Sequence, residues 1–574
     1  MPAEHYNIGC YLLDRLEECG CAHLFGVPGD YNLRFLDDVM AKEKSTANTA
    51  SPFKWIGCAN ELNAAYAAEA YSKVKLHYTN RTNEKQISAI LTTFGVGEIS
   101  ALNGIAGAMS ERSPVLHIVG GPSTATEARR DIMHHTLGEG QFRDFVKMSE
   151  PITCARAVLY EENAREEIDR VLLQMIFHKR PGFVLLPLDV ANAPCDPPST
   201  PLEPIAAPVS EAALQQYREA VQGLLANSRH PALLAGYLCD RYGGSALTHT
   251  LITKTNLPFA VQIYGKGVLD ESLPQFVGSY CGSTSLPSVR QVIEEADMLV
   301  TVGAFYHDIG TNFFSQKIDP LRTIAIQPFE VTVGGRRLTG VPMEKALLIL
   351  TELATAVCAQ WPQTIPQHIT KGITTPDSDK GPLTAFHFYT ELEDNLSPND
   401  ILIADIGTTC ISASAMVLPH NALFVNQFMW AAIGNALPAA LAAQLACPDR
   451  RVILLIGDGA AQMTMQEIGT FVRYGLKPIL FLVNNDGYVI ERIIHGWDEP
   501  YNDIQGWDYC QVVTGMTRGR ADCKVIETIG DTAEVLKQSG EGNMNKGASS
   551  PGKMLFREVM LGRHELPVVT TMKR

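Results

Sequence analysis

A chain of 574 residues is too long to close over one hydrophobic core, so two to four domains are expected. Hydrophobic residues make up 46% and charged residues 19%, which excludes a disordered chain, and the net charge of −15 argues against a nucleic-acid-binding surface. The 13 cysteines form no C-x-x-C pair, which excludes a zinc-type spacing and is expected of reduced, mostly buried thiols in a cytoplasmic protein.

The opening residues, MPAEHYNIG, lack a basic segment followed by an apolar core, so no signal peptide is expected. No apolar run reaches the length of a membrane span. Short apolar runs at Ala89–Thr93, Val115–Val119 and Phe183–Leu186 predict strands in a first domain, residues 1–191. The proline-rich stretch 192–210 reads as an extended linker. Strands at Ala232–Ala235, Met298–Val302 and Thr323–Ile326 belong to a middle domain, residues 211–358. A second linker, 359–384, is rich in Pro, Thr and Gly. The third domain, 385–574, carries strands at Ile401–Ala404, Val452–Ile456, Ile479–Val483 and Met554–Val559, with a polar, Gly-rich loop near 538–553. Helical patterns separate the strands. The expected fold class is therefore α/β, with three doubly wound parallel-sheet domains.

The stretch from Arg451 to His495 is the most informative. The strand ending at Gly457-Asp458-Gly459 is followed by a helical pattern with Met463, Ile468, Phe471 and Val472 among its apolar positions. The next strand ends at Asn484-Asn485-Asp486-Gly487. In a right-handed βαβ unit, Asp458 and Asn485 fall just past neighbouring strand ends, beside a helix N-terminus expected after Gly459. Hard oxygen ligands beside phosphate-friendly backbone describe a Mg²⁺-diphosphate site. Taken singly, Gly-Asp-Gly and Asn-Asn-Asp-Gly are ordinary turns; their placement on one edge of one unit makes the signal.

This pairing resembles the motif of thiamine-diphosphate-dependent 2-oxoacid decarboxylases, the family that includes pyruvate, indolepyruvate and branched-chain 2-oxoacid decarboxylases. GVPGDYNL (Gly26–Leu33), ANELNAAYAAEAY (Ala59–Tyr71), TTFGVGEISALNGIAG (Thr92–Gly107), HHTLGEGQF (His134–Phe142), QFMWAAIG (Gln427–Gly434), NDGYVIE (Asn485–Glu491) and YNDIQGWDY (Tyr501–Tyr509) carry the resemblance over essentially the whole chain. The resemblance implies pyrimidine-binding, middle (structural or regulatory) and diphosphate-binding domains in that order. It implies Mg²⁺ on Asp458, the Asn485 side chain and the Gly487 carbonyl. Gly459, Ala460 and Thr408 would contact the diphosphate, although Thr408 alone reads as a helix N-cap. Ile433 would bend the cofactor, the Ala431 carbonyl would receive the aminopyrimidine, and Ile490 would line the cofactor site.

Glu61 would bond the pyrimidine ring, and Asp30, His134, His135 and Glu491 would form the acid–base set. Individually these read as a helix-opening carboxylate, a turn residue, a polar pair whose adjacent side chains need not face one site, and a solvated helix position. The implied reaction is non-oxidative decarboxylation of a 2-oxoacid to an aldehyde and CO₂. Ser285, Leu286, Cys410, Ile411, Ile490 and Ile494 would approach the substrate. Several relatives carry an aromatic residue at the Cys410 or Ile411 position. The smaller residues here suggest room for phenylpyruvate, indolepyruvate or branched oxoacids as well as pyruvate. A pyruvate-specific decarboxylase and an acetolactate-synthase-like carboligase are the alternatives. Ile406 replaces a polar residue, AAEAY replaces an acidic-Gly pair, and 42–53 and 76–86 look like insertions. The family's active sites lie between subunits, which implies a homodimer or homotetramer acting on a small molecule, with no nucleic-acid or membrane partner.

Overall fold

A computed structural model of the chain describes residues 6–79, 85–362, 381–532, 535 and 553–568. Residues 363–380 of the second expected linker, 80–84 of the second expected insertion and nearly all of the expected loop at 538–553 lie outside the described residues.

The apolar runs form three sheets, each flanked by helices. The first runs edge to edge through Lys54–Gly57, His23–Gly26, Ser88–Thr93, Val115–Gly121, Gly182–Pro187 and Ala155–Val158, with every pairing parallel. The third runs Leu423–Val425, Ile401–Ala404, Val452–Gly457, Ile479–Asn484, Met554–Met560 and Ala521–Ile526, again wholly parallel. Central strands such as Ser88–Thr93 are buried at every position, because helices cover both faces; this is why they read as unbroken apolar runs.

The second sheet departs from the expected all-parallel pattern. Its parallel strands, Thr323–Ile326, Met298–Val302, Pro231–Ala235, Phe259–Gln262 and Phe276–Tyr280, are extended at one edge by an antiparallel hairpin, Glu330–Val333 and Arg336–Thr339. Gly334 and Gly335, at φ +56° and +80°, make the two-residue turn.

The chain forms two compact units. One holds Met1–Ala206, Met429–Cys447 and Thr464–Leu476; the other holds Ala207–Phe428, Pro448–Met463 and Lys477–Arg574. In the first unit the helix Glu61–Thr79 packs against both Val96–Ser110 and Ala436–Ala446. Ala64, Ala65, Ala67, Ala68 and Ala70 are all fully buried on it. Small side chains allow this close approach: a Cβ at Gly104 would meet that of Ala65 at 2.4 Å. In the second unit, the fully buried Lys266–Glu271 pair (2.7 Å) is completed by the Gly267 and Leu418 amides, which donate to Glu271.

All 13 cysteines are free thiols. Among the described residues no helix is long and apolar enough to cross a membrane.

Candidate active site

In the first unit, the turn before the helix Glu61–Thr79 is capped by Asn60, whose Oδ1 accepts the Asn63 N–H at 2.8 Å. Glu61 is thereby the first helical residue and is only partly exposed. A single distant carboxylate fixes this turn. Glu467 Oε2 accepts the Ala59 N–H at 3.1 Å and the Asn63 side-chain amide at 2.7 Å. Glu467 is fully buried, and burial pushes its carboxyl above the usual range. The Glu61 carboxylate lies against Gly97, where a Cβ would come within 2.8 Å of Oε1.

Asp30 and the two histidines meet. His134 Nε2 lies 2.5 Å from Asp30 Oδ2, and His135 Nδ1 lies 3.9 Å from Asp30 Oδ1. Adjacent side chains can share one carboxylate here because His135 adopts the left-handed conformation, φ +59°. That turn is seated on Gly95, itself at φ +65°, where a Cβ would strike the His135 carbonyl oxygen at 1.9 Å. Tyr31 supports the pair from below. Its ring stacks on His134 at 5.0 Å and meets His135 edge-on at 5.9 Å, and its hydroxyl lies 3.3 Å from His134 Nδ1.

The loop bearing Ala431 and Ile433 is also tied to the first unit. Glu111 Oε1 accepts the backbone N–H of Met429 at 2.7 Å, and Lys73 pairs with both Glu111 (3.2 Å) and Glu69 (2.5 Å). Ala431 is left-handed, φ +57°, a conformation that favours glycine. Ile433 is partly exposed.

In the second unit, the register Gly457↔Val483 puts Asp458 and Asn485 each one residue past the ends of adjacent parallel strands. Asp458 Oδ1 accepts the Gly459 N–H at 2.8 Å and Oδ2 accepts the Gly487 N–H at 3.0 Å. Asp458 is 2% exposed, and burial pushes its carboxyl up to about 6; the amides of Gly487, Gly459, Asn485 and Asp486 pull the other way. Asn485, just past the neighbouring strand, is also buried, and Gly487 holds φ +117°. The helix opens at Asp458 itself rather than after Gly459, and it is not continuous. Asp458–Thr464 gives way to a 3₁₀ turn, Met465–Glu467, before Ile468–Arg473. That break turns Met463 outward, 50% exposed, and Glu467 inward, against the expected apolar pattern. Gly459 allows the Tyr488 ring to close on the backbone: a Cβ would meet Cε1 at 2.5 Å. Ala460 is buried.

Thr408 is the first residue of the helix Thr408–Ala415, and Gly407, φ +126°, takes the cap position assigned to Thr408 as a turn residue. Cys410 is fully buried in a core cluster with Phe388 and Tyr389, whereas Ile411 keeps some exposure. The Ser285 hydroxyl is used locally, accepting from Cys281 N and donating to the Gly282 carbonyl, and Leu286 is partly buried. Ile490 is partly buried, while Glu491 and Ile494 are exposed on the helix Val489–His495.

Tyr31, Gly95, Gly97, Glu111, Glu467 and Tyr488 organise these groups without having been named as site residues. Tyr31, Gly95, Gly97 and Tyr488 lie inside the quoted motifs, whereas Glu111 and Glu467 lie outside them. The donor set suits a hard divalent cation. A desolvated carboxylate offset by amide dipoles alone is a poor stopping point for a fold, and a cation resolves it.

Comparison with known proteins identifies the family of the chain. Residues 6–146 match the thiamine pyrophosphate enzyme N-terminal TPP-binding domain, 218–347 the central domain and 405–545 the C-terminal TPP-binding domain. The chain is 41% identical to an alpha-keto-acid decarboxylase of Mycolicibacterium paratuberculosis over 562 residues, covering 98% of this chain and 95% of that protein. Proteins of the same name from Mycobacterium avium (41%) and Mycobacterium tuberculosis (40%) match over the same shares.

Proposed function

The chain belongs to the thiamine pyrophosphate enzymes as an alpha-keto-acid decarboxylase, and from this premise we propose its cation, residue roles, substrate range and assembly. Thiamine diphosphate, when bound, supplies the electron sink for the pair left as CO₂ departs. Asp458, Asn485 and the Gly487 carbonyl would hold Mg²⁺, with Gly459, Ala460 and Thr408 toward the diphosphate. Glu61 would share a proton with the pyrimidine ring, Ala431 would receive its amino group, and Ile433 and Ile490 would pack on the rings.

Decarboxylation to an aldehyde consumes one proton, delivered to the former keto carbon. The cluster Asp30, His134 and His135 is the observation that carries this reading. A carboxylate that meets one imidazole at 2.5 Å and lies 3.9 Å from a second can relay a proton between them. A carboligase instead hands that carbon to a second oxoacid, and its proton goes to the new alkoxide oxygen rather than to carbon. Glu491 would complete the set.

The substrate is proposed to be a 2-oxoacid with a side chain larger than methyl, with pyruvate also accepted. Ile490 and Ile494 stand four residues apart on one helix face and offer apolar surface, as does Ile411. Ser285, Leu286 and Cys410 are the remaining candidates, Cys410 acting from within the core. Each site is proposed to join the Glu61 half of one subunit to the Asp458 half of another, giving a cytoplasmic homodimer or homotetramer.

Steady-state rates with pyruvate, phenylpyruvate, indolepyruvate and a branched oxoacid, with Mg²⁺ and thiamine diphosphate supplied, test the proposal. Aldehyde should form from at least one of the larger substrates as well as from pyruvate. Turnover of pyruvate alone would overturn the substrate range, and acetolactate in place of aldehyde would overturn the proton roles.

A further inference from the structure

Arg492 is fully buried on the helix Val489–His495, a place where guanidinium groups are seldom found without a task. Among the described residues all its hydrogen bonds run through one nitrogen. Nη2 donates to the Asp486 carbonyl at 2.6 Å, to Asp503 Oδ1 at 2.8 Å and, at 3.4 Å, to the Asn502 carbonyl. Nε and Nη1 are buried with no partner among the described residues. A guanidinium placed to optimise its own pairing would use its fork. This one is placed to reach a carbonyl.

That carbonyl belongs to the residue between Asn485 and Gly487. Asp486 takes the left-handed conformation, φ +60°, which a non-glycine residue leaves readily unless it is held, while Gly487 at φ +117° adopts a region that glycine allows without cost. A second arginine holds the same residue from its side chain. Arg563 donates to Asp486 Oδ2 at 3.3 Å and to Asp503 Oδ1 at 2.5 Å. Tyr488 N donates to the Asn502 carbonyl at 3.0 Å, and a Cβ at Gly487 would strike that same oxygen at 2.3 Å. The turn is therefore clamped on the segment Asn502–Asp503, with Asp503 shared by both arginines.

We propose that Arg492 is a positioning residue for the metal loop, fixing the Asp486 carbonyl so that Asn485 and Gly487 are preset to receive a divalent cation with Asp458. This rests on the reading of Asp458, Asn485 and Gly487 as the metal-binding set. Arg563 and Asp503 extend the clamp to the segment that follows the last strand of the third sheet.

The test is titration of the full-length protein with Mn²⁺ in the presence of thiamine diphosphate, following free Mn²⁺ by electron paramagnetic resonance. Thermal unfolding without metal is measured alongside. Groups that orient metal ligands typically contribute about 10- to 100-fold to metal affinity. Arg492→Met should weaken Mn²⁺ binding by at least about tenfold, Arg492→Lys should recover most of that loss, and Asp503→Asn should fall between. A folded Arg492→Met protein with wild-type Mn²⁺ affinity overturns the inference. If Arg492→Met does not fold, wild-type Mn²⁺ affinity in Asp503→Asn does so. Wild-type protein whose Mn²⁺ binding is indifferent to Asp458→Asn would instead overturn the metal assignment itself.

Discussion

Gly97 stands against Glu61: a methyl group added there would come within 2.8 Å of Glu61 Oε1 and 3.2 Å of Thr93 Cγ2. Gly97 lies inside the helix Val96–Ser110, where alanine is intrinsically better than glycine by about 1 kcal/mol. Local propensity and site geometry thus pull in opposite directions. Gly97→Ala should leave the melting temperature within a few degrees and lower kcat/KM at least about tenfold by displacing the carboxylate, as roughly 1.4 kcal/mol of lost transition-state contact would. Glu61→Gln should nearly abolish turnover with the fold intact. Normal activity in Gly97→Ala would show that the carboxylate is not used in this position.

Ala431 sits at φ +57°, which costs a non-glycine residue roughly 1–2 kcal/mol. Ala431→Gly relieves that strain but loosens the unfolded chain, so its net effect on stability should lie within about 1 kcal/mol. Ala431→Val adds a β-branch in the same conformation and should destabilise by more than about 2 kcal/mol. Unfolding curves that rank valine equal to glycine would contradict a left-handed Ala431.

Burial holds the Glu98 carboxyl well above its ordinary range, at about 8, and the Gly95 N–H that donates to Oε2 at 3.3 Å lowers it only in part. The folded chain therefore keeps this proton up to about pH 8, while the unfolded chain releases it near 4.5. Stability linked to Glu98 is greatest below pH 4.5 and declines as pH rises toward 8. Glu98→Gln removes the titration. Thermal unfolding at pH 5, 7 and 9 should show the variant gaining on the wild type with each step, reaching on the order of a few kcal/mol. Parallel wild-type and variant profiles would mean that Glu98 is ionised in the fold.

Removing divalent metal with a chelator, in the presence of thiamine diphosphate, should lower the wild-type melting temperature by several degrees. A ligand held at about 100 times its Kd contributes roughly 2.7 kcal/mol. Asp458→Asn should show no response to the chelator. An equal response in both proteins would place the stabilising metal elsewhere.

The central strands were legible because burial on both faces writes them as apolar runs; Met298–Val302 and Thr323–Ile326 run from the expected first residue to the expected last. Edge strands such as Ala155–Val158 are half-covered and four residues long, too little to register as a run. The hairpin Glu330–Thr339 does carry a signal, the Gly334-Gly335 turn between alternating residues, but a reading of unbroken apolar runs passes over it. Among site residues, motif spacing placed Asp458 and Asn485 on one strand edge. Spacing could not supply the supports, because they act across the sequence: Glu467 reaches Asn63, Glu111 reaches Met429, and Tyr31 reaches His134. Nor could it foresee that a left-handed His135 lets two neighbouring imidazoles address one carboxylate.

The helix Ala436–Ala446 packs on the Glu61 helix although more than 350 positions separate their starts, and the segment Thr464–Leu476 delivers Glu467 to the turn beside it. On the ribosome, then, the first 206 residues emerge with an alanine-lined face bare and the Ala59–Asn63 turn unanchored. That unit cannot be finished until Leu476 has been made. Translation order and folding order are out of step in this chain, and a gene cut between its first and second sheets would yield an N-terminal product that waits for a helix it does not encode.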